Sequence, residues 1–251
     1  MAGHSKFKNI QHRKGAQDKK RAKIFTKLVS EIITAAKMGG VDPNNNPRLR
    51  TAITTAKGQN LPKERIDRAL NQASDPTSGS DYTEIRYEGF LPGGIAIIVE
   101  TLTDNKNRTV SYIRNIFGKY GGNLGESGSV SFMFDKLGII NYPANIASND
   151  EILESAIEAG ADDAESDSEE HIIYTDVESF SEVLNYLTEK YQAPSESVIG
   201  WKPQNTIAVS DIEQAEKILK FIDALEDSDD VQEIYGNYDI SDELLNQLSN
   251  K

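Results

Sequence analysis

The sequence predicts an α+β protein, built as an N-terminal three-helix bundle plus two ferredoxin-like α/β domains, one inserted into the other. Three observations lead there. From residue 18 to about residue 74, apolar residues recur at helical spacing. The stretch SDPTSGSD at 74–81 holds nothing apolar and reads as a linker. Beyond it strand-like and helix-like runs alternate, and the first such series lacks its second half until the end of the chain.

The first helix places Phe25, Leu28, Val29, Ile32, Ile33 and Ala36 on one stripe and stops at Gly39-Gly40. Lys19, Lys23 and Lys27 fall on the opposite side with Lys20 beside them, so a lysine row is expected to face solvent. Pro47 suits the first turn of a second helix ending at Gly58. Pro62 starts a third, with Ile66, Leu70 and Ala73 inward. Arg48, Arg50, Lys57, Lys63, Arg65 and Arg68 extend the basic surface.

Past the linker, 82–90 and 95–103 read as strands joined by the turn LPGG at 91–94. Asn107 is placed to cap a helix carrying Val110, Ile113, Ile116, Phe117 and Tyr120, which Gly121-Gly122 ends; 129–134 reads as the next strand. A second series follows: strand 138–142, helix 149–160, a short edge strand in the acidic stretch, strand 171–175, helix 180–191 and strand 197–201. Strand 206–210, a helix with Ile212, Ala215, Ile218, Leu219, Ile222 and Leu225, and strand 231–235 then complete the first series. The expected division is a flexible basic arm at 1–17 and a helical bundle at 18–78. A discontinuous α/β domain takes 82–134 and 204–240, an inserted α/β domain 135–203, and a C-terminal tail 241–251.

Charge is distributed unevenly. The first 27 residues carry nine Lys or Arg against one acid, Asp18, although the whole chain has a formal net charge of −13. Residues 1–70 hold 16 basic and 5 acidic groups, a balance of +11; residues 71–251 hold 11 and 35, a balance of −24. Such a molecule approaches a polyanion with its N-terminal end leading. His4, Phe7, Ile10 and His12 interleave with the charges, and Phe7 and the imidazoles can stack on unpaired bases. The candidate nucleic-acid-binding residues are therefore Lys6, Phe7, Lys8, His12, Arg13 and Lys14 of the arm, with Lys19, Lys20, Arg21, Lys23 and Lys27 of the first helix.

Other chemistries find no pattern. With no cysteine there is no disulfide, thiolate nucleophile or Cys-based zinc site. The glycine cluster at 119–129 ends a helix and precedes a strand, the reverse of a phosphate loop, so it reads as caps and turns. Six carboxylates in ADDAESDSEE (161–170) lack the looped spacing of a calcium site and read as a solvated edge. Of three histidines two lie in the arm, and no catalytic motif occurs, so no enzyme, cofactor or metal is expected. No apolar run approaches the roughly 18 residues that span a bilayer, and the basic start lacks the apolar core of a secretory signal. The expected compartment is the cytoplasm.

The arm GHSKFKNIQHRKGAQDKKRAKIFTKL (3–28) resembles the opening of the YebC/PmpR family. EGFLPGGIAIIVETLTDNKNRT (88–109), YGGNLGESGSVSFMF (120–134) and IGWKPQN (199–205) resemble the same family in the same order, so the resemblance spans essentially the whole chain. One departure is Phe7, where the family usually has Trp; the ring is retained and the indole N–H lost. The resemblance implies a helical domain and two α/β domains, one inserted in the other, and no enzymatic activity. It implies one of two roles, since members are described as DNA-binding transcriptional regulators, and others, a mitochondrial relative among them, as translation factors. The function expected is that of a nucleic-acid-binding regulator of gene expression, a DNA-binding transcriptional regulatory protein. The alternative is a ribosome-associated factor that binds ribosomal RNA and relieves stalling at proline-rich stretches. Partners are thus duplex DNA or ribosomal RNA, with the ribosome in the second case and no membrane; the sequence leaves the oligomeric state open.

Overall fold

The computed structural model describes residues 17–75 and 82–249, with side chains from Ala22 to Asp75 and from Tyr82 to Leu248. The chain is a mixed α/β protein with eight helices of the α type and largely antiparallel sheets among the described residues. Its described residues divide into two compact units, 17–23 with 82–135 and 201–249, and 24–75 with 136–200.

The second unit contains most of the helical bundle. Helix α1 spans Gln17–Gly39, α2 Pro47–Gly58 and α3 Lys63–Ser74. Their core is Ile32, Ile33, Ala35, Ala36, Leu49, Ala52, Ala56, Leu61, Ile66 and Ala69. Every position from Ile32 to Ala36 is buried, so α1 is enclosed on all sides over this turn rather than along one stripe. Small Ala35 and Ala36 and the short hydroxyl of Thr34 allow that enclosure. Asn46 joins the first two helices: its Oδ1 accepts from Leu49 N (3.1 Å) as the cap of α2. Its Nδ2 donates to the carbonyls of Ala35 (2.7 Å) and Gly40 (2.8 Å), which ties the end of α1 to the start of α2.

The same unit holds the series β4 (Phe134–Pro143), α5 (Asn149–Ala159), β5 (Asp163–Ser166), β6 (Glu170–Thr175), α6 (Phe180–Tyr191) and β7 (Glu196–Pro203). Its sheet runs β5-β6-β4-β7, with β4 and β5 both antiparallel to β6. That order and the β-α-β-β-α-β series are those of a ferredoxin-like plait. Ile140, Tyr142, Ile152, Ala156, Ile173, Phe180, Val183, Leu184 and Leu187 pack between sheet and helices. A capping box of Ser148 and Glu151 starts α5, and Gly160, at φ +87°, ends it. The bundle meets β7 through α2: the Thr55 and Ser197 hydroxyls lie 2.5 Å apart, and Gln59 Nε2 donates to Ser195 O.

The first unit is built on β1 (Thr83–Leu91), β2 (Ile95–Thr103), β3 (Asn123–Leu124) and β9 (Val231–Gly236), in the order β3-β1-β2-β9 with every neighbour antiparallel. One sheet therefore draws strands from before and after the other unit's α/β series. Helices α4 (Lys106–Lys119) and α7 (Ile212–Glu226) cover it, with Phe117 edge-on to Phe221 at 4.9 Å. This is not the expected second ferredoxin-like plait: β1 and β2 lie side by side at the centre, flanked by β3 and β9, so both the strand order and the threading differ from β-α-β-β-α-β. The tight turn after Leu91 forces β2 to pair beside β1 at once, so no helix separates the first two strands.

Three local expectations need correction. The cap of α4 is Asn105, whose side chain accepts from Arg108 N at 3.0 Å, and Asn107 lies inside the helix. The run 129–134 is not a strand: Ser131–Met133 is a 3-10 turn, and the short β3 pairs with β1 instead. The segment after residue 240 is not a tail. Strands β8 (Ile207–Val209) and β10 (Tyr238–Ile240) pair in parallel, and α8 (Asp242–Ser249) buries Leu245 in the core. Leu244, Leu245 and Leu248 fall at helical spacing, and that apolar face secures the helix.

Candidate nucleic-acid interface

The basic helix can be built upward from its packing. Phe25, Leu28 and Val29 of α1 rest against the bundle core, which orients the helix. Lys19, Lys20 and Arg21 occupy its first turns, where the helix backbone is described. Lys6, Phe7, Lys8, His12, Arg13 and Lys14, and with them the Phe7 departure, lie outside the described residues.

The remaining two expected site residues do not stand clear in solvent as a lysine row. Lys23 is half-buried and donates to the Asp227 carboxylate (2.5 Å) and to the Asp227 carbonyl (3.2 Å). Lys27 is also half-buried. The bundle's other cations divide in the same way. Arg48 forms a two-pronged pair with Glu31 (2.7 and 2.9 Å), Arg50 donates to the carbonyls of Pro43 and Asn44, and the Arg65 guanidinium lies 5.6 Å from the centre of the Phe25 ring. Lys57, Lys63 and Arg68 are exposed. Several of the cations counted as surface charge thus hold the bundle together, and the start of α1 and the arm before it retain the densest basic sequence.

Two polar clusters in the first unit escaped sequence reading. In one, the fully buried Glu88 carboxylate accepts from Val130 N (2.8 Å) and Ser131 N (2.9 Å), fixing the end of the glycine-rich loop. Arg86 forms an ion pair with Glu88 (3.0 Å) and lies over the Trp201 indole (4.8 Å), whose Nε1 donates to Glu100 (2.9 Å). Burial alone would raise the Glu88 pKa; the amides of Val130, Gly128 and Ser131 and the Arg86 charge outweigh it and hold the carboxyl below its ordinary value. In the other cluster, Asp230 accepts from Arg108 (2.7 Å) and from the Thr109 hydroxyl (2.8 Å), and Thr109 also reaches Thr103 (2.7 Å). Asp230 sits in an acidic run, and nothing in that run marks it as the residue that α4 engages.

The Glu88 contact has a testable consequence. Replacing Glu88 with Gln exchanges an ionic acceptor for a neutral amide and is expected to destabilise the chain by about 2–3 kcal/mol at pH 7, read by urea denaturation. Because the folded-state pKa is depressed, the contribution is fully present above the unfolded value of about 4.3 and is lost as pH falls through the folded value. The gap between wild type and Glu88→Gln should therefore narrow below about pH 4; a constant gap would refute the ionic role.

The acidic stretch of the second unit is organised as an edge. Strand β5 is outermost in its sheet, and the Asp167 carboxylate accepts from the amides of Glu169 and Glu170 in the β5–β6 turn. His171 is buried; its Nε2 faces the carbonyls of Ala144 and Ala147, which require a proton there, and Nδ1 meets the Ser166 hydroxyl (2.7 Å). No group of three or more His, Cys, Asp or Glu side chains among the described residues could hold a metal ion. No helix among them is long and apolar enough to cross a membrane.

Fold and charge define the class: a mixed α/β protein that is basic from its start through residue 70 and acidic beyond it. Comparison with known proteins gives the family. The model for the TACO1/YebC protein N-terminal domain matches residues 5–76, and that for the TACO1/YebC second and third domain matches residues 82–238. The chain belongs to the TACO1/YebC family. It is 65% identical over 248 residues to a Rickettsia bellii (strain OSU 85-389) protein named "Probable transcriptional regulatory protein A1I_03240", covering 99% of this chain and 97% of that one. A Rickettsia rickettsii (strain Sheila Smith) protein of the same description is 62% identical over 245 residues, 97% of each chain. Among solved structures, a conserved hypothetical protein from Aquifex aeolicus superposes with a TM-score of 0.84 at 45% identity, covering 90% of this chain and 93% of that one.

Proposed function

We propose that the chain is a nucleic-acid-binding regulator of gene expression in the cytoplasm, acting on duplex DNA in transcription without a catalytic step. The observation that carries this reading is the separation of charge, with nine Lys or Arg in the first 27 residues of a chain whose net charge is −13. The names of the Rickettsia relatives support the regulatory part of the reading. In this reading the arm and the start of α1, through Lys6, Lys8, Arg13, Lys14, Lys19, Lys20 and Arg21, take the phosphates; Phe7 and His12 add stacking contacts. Lys23 and Lys27 flank that surface. The bundle, the discontinuous α/β domain and the inserted α/β domain act as three domains that orient it.

One observation favours a second reading, binding of ribosomal RNA on the ribosome. Arg48, Arg50 and Arg65 serve the bundle's own packing, which shifts the available charge toward the arm, and an arm suits irregular RNA better than a groove. The test compares the full-length chain with two variants, Lys6→Gln/Lys8→Gln/Arg13→Gln/Lys14→Gln and Lys19→Gln/Lys20→Gln/Arg21→Gln. Each is measured for duplex DNA binding and for cosedimentation with ribosomes. Site-selective DNA binding that both variants weaken supports the transcriptional role. Ribosome cosedimentation lost in the arm variant, with weak and sequence-independent DNA binding, sinks it in favour of the second; binding to neither sinks both.

A further inference from the structure

Helix α5 carries an apolar flank that stays exposed among the described residues. Leu153 is 42% exposed and Ile157 65% exposed, whereas Ile152, Ser155 and Ala156 of the same helix are buried. Four residues apart, Leu153 and Ile157 lie one above the other on a single face. At about 100° per residue, Asp150 falls beside Ile157 and Glu154 just beyond it, both exposed. The opposite flank is engaged: Glu158 accepts from the Tyr186 hydroxyl (2.7 Å) and Lys190 (3.2 Å), both on α6. The Leu153–Ile157 flank therefore points away from α6. On that side α5 rests on the acidic edge strand, with Ala159 and Ala164 against the core beneath it.

Scattered exposed apolar residues are ordinary, and these two alone would mean little. Their electrical setting selects an occupant. Residues 137–189 contain fourteen acidic side chains and no Lys or Arg. Such a surface repels nucleic acid and anionic lipid and attracts cations. We propose that the Leu153–Ile157 face of α5 docks a basic amphipathic helix of a protein partner. Its apolar residues, one turn apart, cover Leu153 and Ile157, while its Lys or Arg side chains meet Asp150 and Glu154. The face is chemically the opposite of the N-terminal arm, so one chain can hold a polyanion and a polycation at separate places.

The probe is a synthetic helical peptide of Lys, Ala and Leu with its leucines at i, i+4 spacing. The control is a peptide of the same composition with the leucines dispersed. Binding to the full chain is read by fluorescence anisotropy. Leu153→Ser/Ile157→Ser is expected to weaken the ordered peptide about tenfold and leave the dispersed one unchanged. Asp150→Lys/Glu154→Lys is expected to weaken both. Equal binding of the two peptides, or no effect of the serine pair, overturns the proposal. Self-association of the wild type that the serine pair abolishes also overturns it, by making a second copy the occupant. Should either variant lose its circular-dichroism melt, amide shifts of the wild-type chain decide: changes centred on α5 support the proposal, and changes elsewhere overturn it.

Discussion

The affinity of the full-length chain for duplex DNA is expected to fall about a thousandfold between about 50 and 200 mM salt. Nine basic groups lie within the first 27 residues, and Lys23 among them is paired with Asp227. If about six of the others displace condensed counterions, log K falls with log salt at a slope of roughly −5. Each phosphate contact removed by a Lys→Gln change at positions 6, 8, 14, 19 or 20 should reduce that slope by about one. Lys23→Gln should change it least, because the Asp227 carboxylate already neutralises that ammonium. A slope near zero, or one that no arm substitution alters, would refute phosphate binding by this segment. Titrations across a salt series read all of these outcomes.

Gly58→Ala is expected to destabilise the chain by about 2–3 kcal/mol, against the direction that helix propensity suggests. Gly58 is the last residue of α2, and glycine in a helix interior is worse than alanine by at most about 1 kcal/mol. A Cβ at this position would sit 1.8 Å from the Pro194 carbonyl oxygen and 2.9 Å from its carbon, both backbone atoms. That backbone is itself tethered, since Ser195 N donates to Asn141 O at 2.9 Å and Gln59 reaches Ser195 O. Relief requires α2 to withdraw from β7, which also parts Thr55 from Ser197. Urea denaturation decides the sign: equal or greater stability in Gly58→Ala would show that residues 192–195 yield freely.

Legibility in the sequence followed the range of the forces. Helix α6 lies at Phe180–Tyr191, the bounds its periodicity predicts, because Phe180, Val183, Leu184 and Leu187 set one buried stripe without help from elsewhere. Helix α7 follows its own stripe in the same way. Asn107 and Asn105 both have the side chain of a helix cap, so sequence alone does not choose between them at the start of α4. Only the hydrogen bond to Arg108 N distinguishes them. The run 129–134 looked strand-like from its apolar alternation, yet the Glu88 carboxylate takes two of its amides from more than forty positions away. For the candidate site, sequence located the dense charge but not its use: Lys23, Arg48, Arg50 and Arg65 count equally by composition and pair differently in space.

By itself the sequence determined the mixed α/β character, most of the helices and the separation of a basic start from an acidic remainder. Periodicity, caps and net charge act over a few residues or simply add. Tertiary structure alone decided which of the bundle's cations its own packing engages, that β9 pairs with β2 in the discontinuous sheet, and that Thr55 meets Ser197 across 142 positions. It also decided that Leu153 and Ile157 stay uncovered among carboxylates. Those outcomes depend on which surfaces meet once the cores have formed, and pairing between distant positions leaves no local pattern to read.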